Sequence, residues 1–335
     1  MTVLYRLKVW LRLFRAHTVI LEAPMAVMGA SIALGTMFDP RVAFWLLFGV
    51  LYHLVGYGMN SYADWKNGFD QDDERKQHHP LNNGDIKPEK AKKVIYVTTG
   101  ILAVYSIALG GFTVSAVGFT VAMFASGVVY NYLGKYLTLK CIPIAVAHTL
   151  VFLYPYYVYT NSITVYAGLI TLAYFVHHIY QIAISGDIKD IDQDEASLLQ
   201  KLGARMEEHE VTGAEVFVAS SKVLFYSYML TLAELLLVIG SMQLLQQYIG
   251  IISVACIFGG VVLYETDKML QSGAFLRTKR LKHISRREFA GYSMIHSAGI
   301  AVIGIEAFVL LISSMVIYLA TVSKFIWGNW MVPDV

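Results

Sequence analysis

The chain has 335 residues, 56% of them hydrophobic and 15% charged, and a formal net charge of +2. Soluble domains carry about 25% charged residues, so this composition excludes an ordinary soluble domain and predicts an integral membrane protein. Nothing in the sequence indicates nucleic-acid binding, and the two cysteines, Cys141 and Cys256, indicate neither a disulfide framework nor a cysteine-based metal site.

The N-terminal segment, residues 1–17, combines basic and aromatic side chains. It contains four basic residues and no acidic residue, and Trp10 and Phe14 lie among the basic positions. This mixture is typical of a short helix that lies at the membrane interface and contacts lipid headgroups.

The rest of the chain alternates long apolar runs with short polar segments. About 20 apolar residues cross a bilayer, so we predict nine transmembrane helices in an all-α bundle. No linker-like tract interrupts the chain, and we interpret residues 1–335 as a single domain. The predicted spans are residues 17–37, 41–62, 91–110, 113–133, 141–160, 163–186, 218–242, 247–267 and 291–321.

The basic residues predict the orientation, because Lys and Arg accumulate on the cytoplasmic side of membrane proteins. With the N-terminus in the cytoplasm, all of the 26 basic residues except Arg41 and Lys324 fall in cytoplasmic segments. An odd number of spans then places the C-terminus outside, and we expect the chain to lie in a cell (inner) membrane.

The second predicted span ends in an acidic segment on the cytoplasmic side. Helical periodicity places His53, Tyr57, Asn60 and Asp64 on one stripe, so a polar and aromatic wall would lead from the membrane to this segment.

The sixth predicted span ends in the same way. On a helix advancing 100° per residue, Asp187, Asp190 and Asp194 fall within an arc of about 60°, and Tyr180 and His177 continue their stripe into the membrane. Crowded carboxylates need a compensating cation, and Mg²⁺ prefers such oxygen ligands. Two such helices facing each other would form a cavity for a ligand with an anionic head and a long hydrocarbon body.

Four segments of the chain resemble the UbiA superfamily of intramembrane prenyltransferases, and they follow one another as in that family. Asn60-Ser-Tyr-Ala-Asp64 with Gly68-Phe-Asp70 resembles the family's first acidic motif, in a spacing most similar to the menaquinone-type branch. The segment from His79 to Ile86 and Tyr130-Asn-Tyr132-Leu-Gly-Lys135 resemble two further family segments, and Asp187, Asp190 and Asp194 resemble the second acidic motif.

The resemblance implies a helical bundle around a central cavity, with a cytoplasmic cap at about residues 63–90 and 187–217. It also implies a Mg²⁺-dependent enzyme that ionises an isoprenyl diphosphate and transfers the prenyl group to an aromatic or lipid acceptor. Its expected metal ligands are Asn60, Asp64, Asp70, Asp187, Asp190 and Asp194. The residues expected to bind or activate the diphosphate substrate are Asp64, Asp190, Lys135, Tyr130, Asn60, Tyr57, His53, Tyr180 and Arg75.

Departures from the family pattern leave the acceptor open. Ser61 stands where an acidic residue is common, and His79 stands where the family has Arg. One alternative is a terpene cyclase of the same superfamily, with the tyrosines of residues 154–159 lining its cavity, although an interfacial tyrosine belt also explains them. A more remote alternative is a cation-coupled transporter.

Several polar residues fall inside predicted spans. Glu22, Glu234 and Glu306 are candidates either for a function or for a structural hydrogen-bond network. His148, His178 and His296 are expected to be packed polar residues, and the basic segment 277–287 is expected to set the topology and bind lipid headgroups.

Overall fold

A computed structural model describes residues 2–69, 79–189, 191, 197–208, 215–244, 249–271, 277–300 and 302–328. Its α-helices are α1 Val3–Leu13, α2 Ala23–Leu34, α3 Pro40–Lys66, α4 Pro88–Leu109, α5 Val114–Leu133, α6 Cys141–Thr160, α7 Val165–Tyr180, α8 Asp187–Lys189, α9 Leu198–Lys201, α10 Ser221–Gln243, α11 Ile249–Leu270, α12 Arg277–Ile300 and α13 Ile305–Trp327.

Local sequence explains where the main helices begin and end. Asp39 caps α3 by accepting from the backbone N–H of Arg41, and Pro40 occupies the first turn, where a proline is well tolerated. Hydrogen bonds from Arg41 also lower the pKa of Asp39 to about 2. Gly35, with a φ of 71°, ends α2 in the left-handed conformation that glycine adopts readily.

Long apolar helices confirm an all-α, multi-pass membrane protein. Many of their large apolar side chains point outward, including Val104 on α4 and Phe225 on α10, as expected for contact with lipid. The predicted eighth span, 247–267, is covered by α11. Within the described ranges, eight helical segments have the length and hydropathy of a membrane span: Ala16–Leu34, Pro40–Lys66, Pro88–Leu109, Val114–Tyr136, Cys141–Thr160, Val165–Lys189, Ser221–Gln243 and Ile305–Trp327.

The predicted ninth span, 291–321, is wrong. Helix α12 ends at Ile300, and α13 begins only at Ile305. Gly304 between them has a φ of 129°, a backbone conformation that non-glycine residues rarely adopt. The apolar residues on both sides of this break merge into one run when hydropathy alone is considered.

The end of α13 contacts the N-terminal helix. The guanidinium of Arg12 donates to the carbonyl of Ile326 at 3.1 Å and lies 4.9 Å from the centre of the Trp327 ring. The C-terminal end of α13 therefore lies beside the N-terminal helix. The prediction of nine crossings with the C-terminus outside stays a prediction.

The chain forms two compact units, each with its own core. The first comprises Met1–Tyr132, Val151–Asn161 and Glu306–Val335, and the second Leu133–Leu150 and Ser162–Ile305. In the first, the Trp45 ring packs edge-on against Tyr154, with centroids 5.2 Å apart. In the second, an apolar cluster that includes Ile184, Phe217 and Leu270 joins residues from the end of α7 through α12. The interpretation of residues 1–335 as a single domain stays a prediction.

The described residues of segment 187–217 form short elements. Helices α8 and α9 precede an antiparallel hairpin of β1 Arg205–Glu208 and β2 Glu215–Val218, in which Met206 pairs with Phe217. The sequence did not predict this hairpin. Phe217 is buried under the guanidinium of Arg280, 4.7 Å from its ring, and this contact attaches the hairpin to α12.

Candidate functional site

The first acidic segment is the end of α3, and a buried ion pair supports it from within the bundle. His53 Nδ1 contacts a carboxylate oxygen of Glu22, and both side chains are about 1% exposed. The other ring nitrogen, Nε2, lies 3.1 Å from the carbonyl of Arg15. Nε2 also lies 3.3 Å from the hydroxyl of Thr18, so both ring nitrogens have polar partners.

The predicted stripe on α3 is present. The ring of Tyr57 contacts that of His53 with centroids 4.4 Å apart and planes tilted by 35°, and the guanidinium of Arg15 lies 5.4 Å from the Tyr57 ring. Further along the helix, Asn60 is half-buried and Asp64 is buried. An amide oxygen and a carboxylate about one turn apart are the hard oxygen donors that Mg²⁺ prefers, so these two residues fit a magnesium site.

Ser61 has a structural reason to depart from the family pattern. Its hydroxyl donates to the carbonyl of Leu13 at 3.1 Å in a buried position. A carboxylate at this position could not donate to a carbonyl. The serine therefore fixes the N-terminal segment to α3.

The second acidic segment follows a change of helix type. Helix α7 continues into a π-helix over Gln181–Gly186 before Asp187. A π segment bonds residue i to i+5 and is frequent at functional sites. The assumption of 100° per residue from His177 to Asp187 is therefore wrong, because the extra residue in the turn rotates Asp187 away from the predicted stripe.

Asp187 is 1% exposed and already has several partners. Its Oδ1 lies 2.9 Å from the ammonium of Lys140. Its Oδ2 accepts from the hydroxyl of Ser197 at 3.0 Å and from the backbone N–H of Leu198 at 2.9 Å. Among the described residues, Oδ1 is ion-paired without a hydrogen bond, and Oδ2 is hydrogen-bonded. The charge of a residue that the sequence predicts to be a metal ligand is therefore already compensated by a lysine.

A larger buried network lies behind the π segment. His177 Nδ1 is 2.8 Å from Glu234 Oε1, and Arg287 donates to Glu234 Oε2 at 2.6 Å. Glu288 accepts from Ser185 at 2.7 Å and lies 3.4 Å from His177 Nε2. His177, Glu234 and Arg287 are fully buried, so these charges must be compensated within the network.

Sequence patterns did not identify the contribution of α12 to this network. Arg287 belongs to the basic segment that was expected to bind lipid headgroups, but it is fully buried and its guanidinium lies 3.5 Å from the centre of the Tyr180 ring. Tyr180 is also fully buried. A helical pattern that continues from residue 277 to residue 300 was the signal that could have placed Arg287 inside the bundle.

The other polar candidates fall into two groups. Glu22 and Glu234 belong to hydrogen-bond networks, whereas Glu306 is exposed in the first turn of α13. His178 is packed as predicted, with Nδ1 2.7 Å from the carbonyl of Tyr174. Within the described part of the chain, no group of three or more His, Cys, Asp or Glu side chains is arranged to hold a metal ion.

The tyrosine-rich segment of α6 packs within the first unit. Tyr154 is fully buried and donates to the carbonyl of Ser106 at 2.6 Å. Tyr159 accepts from the indole N–H of Trp45 at 3.0 Å. These contacts explain Tyr154 and Tyr159 as part of a packed core.

The remaining predicted residues are placed by the structure or lie outside it. Tyr130 is half-buried near the end of α5, and Lys135 is half-buried in the short 3₁₀ helix Gly134–Tyr136. Four predicted site residues lie outside the described residues: Asp70, Arg75, Asp190 and Asp194.

Comparisons with known proteins agree with this architecture. The model of the UbiA prenyltransferase family matches residues 23–268. A structure from work on digeranylgeranylglyceryl phosphate synthase in membranes has a TM-score of 0.64 at 18% identity, over 90% of this chain and 100% of that one. A UbiA homologue from Archaeoglobus fulgidus bound to GPP and Mg²⁺ has a TM-score of 0.61 at 16% identity, over 89% and 100%.

The same homologue bound to DMAPP and Mg²⁺ gives a TM-score of 0.58 at 16% identity, over 88% of this chain and 98% of that one. At these identities the solved structures show a shared fold. No curated protein sequence matches the chain. The menaquinone-type branch stays a prediction.

Proposed function

The chain belongs to the UbiA prenyltransferase family, and we propose that it transfers a prenyl group from an isoprenyl diphosphate to an acceptor in a Mg²⁺-dependent reaction within the membrane. The observation that carries this proposal is the end of α3. There the buried carboxylate of Asp64 follows Asn60 by about one turn, and both belong to the segment that resembles the family's first acidic motif.

The proposed magnesium ligands come from both acidic segments. Asn60 and Asp64 offer an amide oxygen and a carboxylate, and Asp70, Asp190 and Asp194 are added from the sequence alone. Relatives of the same fold bind GPP or DMAPP together with Mg²⁺, which supports this choice of metal and substrate. Bound Mg²⁺ would stabilise the negative charge that develops on the leaving diphosphate.

The protein's own side chains have separate tasks in this proposal. Lys135, Tyr130 and Arg75 donate hydrogen bonds to diphosphate oxygens, and such charge-assisted bonds are strong. When the bond between the allylic carbon and oxygen breaks, its electron pair leaves with the diphosphate. Aromatic faces such as that of Tyr57 stabilise the allylic cation, and His53 holds the Tyr57 ring in position through the contact between the two rings.

An aromatic or lipid compound is the proposed acceptor. One structural neighbour comes from work on digeranylgeranylglyceryl phosphate synthase, which supports testing a lipid acceptor alongside a quinone precursor. The cyclase alternative is weaker because Tyr154 and Tyr159 have packing partners in the first unit. Purified protein incubated with geranyl diphosphate and Mg²⁺ without an acceptor should form no cyclic product. Detection of one by mass spectrometry would favour the cyclase.

The first test of the proposal removes one carboxylate from each acidic segment. We expect Asp64→Asn and Asp190→Asn each to lower the turnover of geranyl diphosphate at least 100-fold, because the leaving group loses metal-mediated charge stabilisation. Asp39→Asn is the matched control, since Asp39 is a carboxylate at the start of α3, and its turnover should be unchanged. Activity within a few-fold of wild type in both test variants would reject the proposal.

A further inference from the structure

Asp187 joins three parts of the second unit. Its carboxylate contacts the side chain of Lys140, which directly precedes α6, and the hydroxyl of Ser197 and the backbone N–H of Leu198 at the start of α9. Asp187 itself follows the π segment of α7. One side chain therefore fixes the end of the π segment to two other helices.

The contacts of Asp187 compensate its buried charge without a metal ion. Lys140 supplies the opposite charge at 2.9 Å from Oδ1, and its side chain is only 12% exposed; among the described residues no group donates a hydrogen bond to Oδ1. Three hydrogen bonds from the start of α9 reach Oδ2, at 3.0 Å, 2.9 Å and 3.4 Å. A metal ion bound through Oδ2 would have to displace one of these donors, and one bound through Oδ1 would place a second cation beside the ammonium of Lys140.

Further contacts hold the described residues of the second acidic segment. Asp187 accepts from the hydroxyl of Ser197, and the side chain of Gln200 donates to the carbonyl of Ile191. Ile191 is 2% exposed and belongs to the apolar cluster of this unit together with Leu199.

We propose that Asp187 is a positioning residue rather than a magnesium ligand: it pairs with Lys140 and holds the start of α9 beside the end of the π segment. This inference rests on the proposed function. Within the second acidic motif, Asp187 positions its neighbours, and Asp190 and Asp194 are the proposed metal ligands.

The test compares the change in melting temperature that Asp187→Asn causes in the wild type and in the Lys140→Gln variant. A positioning Asp187 paired with Lys140 makes Asp187→Asn destabilising in the wild type, by about 3 °C or more in melting temperature. In Lys140→Gln, the carboxylate is buried without its counter-charge, so adding Asp187→Asn should raise the melting temperature. Both measurements are made on the full chain without Mg²⁺ or diphosphate.

A higher melting temperature for Asp187→Asn than for the wild type would overturn the proposal. A carboxylate placed to bind metal is repelled by its acidic neighbours when the metal is absent, so Asp187→Asn would then raise the melting temperature of the wild type. Strict additivity of the two substitutions would also reject the proposed pair. If Lys140→Gln alone does not fold, recovery of folded protein in the double variant supports the proposal, and no recovery contradicts it.

A second measurement connects the inference to the proposed reaction. The Mg²⁺ concentration at half-maximal thermal stabilisation is measured in the presence of geranyl diphosphate. We expect it to shift more than 10-fold in Asp64→Asn but less than 3-fold in the Asp187→Asn, Lys140→Gln double variant. An equal shift in both would overturn the positioning assignment. If even the wild type is not stabilised, the proposed function fails, and the metal-free melting temperatures still decide the part played by Asp187.

Discussion

The helices that carry the two acidic segments, α3 and α7, are supported by different kinds of buried polar contact. Each contains a histidine about three turns before its first described aspartate, and each histidine contacts a glutamate from a neighbouring segment. On α3 the pair is His53 and Glu22. On α7 the pair of His177 and Glu234 also includes Arg287, whose charge is permanent.

This difference follows the local geometry of the two helices. Helix α3 is continuous from Pro40 to Lys66, whereas α7 passes into a π segment before Asp187. Glu288 contacts His177 before the π segment and Ser185 within it. The regular helix α3 is supported by the contact of His53 with Glu22, whereas the π segment after α7 is supported by an ionic network that includes α10 and α12.

The largest expected effect comes from removing the two glutamates. Glu234→Ala leaves the buried charge of Arg287 unpaired, which typically costs about 3–5 kcal/mol in the free energy of unfolding. Glu22→Ala removes the partner of a histidine that can be neutral, and we expect about 1–3 kcal/mol.

Thermal unfolding in detergent measures both variants, and Glu306→Ala, at an exposed glutamate on α13, is the control expected to stay within about 0.5 kcal/mol of wild type. Equal losses of stability for Glu22→Ala and Glu234→Ala would contradict the idea that the permanent charge of Arg287 makes the α7 network the more sensitive of the two.

Gly291 of α12 lies where this helix packs closely against α7. A methyl group added there would lie 2.4 Å from His177 Cε1 and 2.9 Å from Glu234 Oε1, so Gly291→Ala should destabilise the protein by about 1–3 kcal/mol. In contrast, a methyl group on Gly260 of α11 meets no described atom within 4 Å. Gly260→Ala should be neutral or slightly stabilising, and an equal loss in both variants would show that α12 is free to move away.

Ser61 gives a smaller effect on the α3 side. Ser61→Ala removes one buried hydrogen bond to the carbonyl of Leu13 and should cost about 1 kcal/mol. Ser61→Asp, which introduces the residue type common in the family, should cost more because a buried carboxylate would face a carbonyl oxygen. Chemical denaturation of the three proteins gives the order, and a Ser61→Asp variant as stable as wild type would contradict it.

The sequence predicted α3 better than α7 for a physical reason. A constant 100° per residue holds along α3, where the rings of His53 and Tyr57 lie on the same face of the helix and contact each other. On α7 the same rule fails at Gln181–Gly186, because no residue pattern marks the change to a π-helix. The stripe of His177, Tyr180 and Asp187 was therefore extended too far.

Helix α12 shows a second limit of sequence patterns. Its charged first half resembles a polar loop and its apolar second half resembles the start of a span, so hydropathy joined residues 291–321 across the break at Gly304. Arg287 is stabilised inside the second unit by Glu234, which lies on α10. A partner so distant in sequence cannot be recognised from local composition.

The most direct measurement is the position of the metal in crystals grown with geranyl diphosphate and Mn²⁺ in place of Mg²⁺. Anomalous scattering should show a metal ion at about 2.0–2.4 Å from oxygens of both Asp64 and Asp190 and of the diphosphate, with Asp187 still paired to Lys140. A diphosphate bound with no metal at Asp64 or Asp190, or with metal held by Asp187 in their place, would contradict the proposed site.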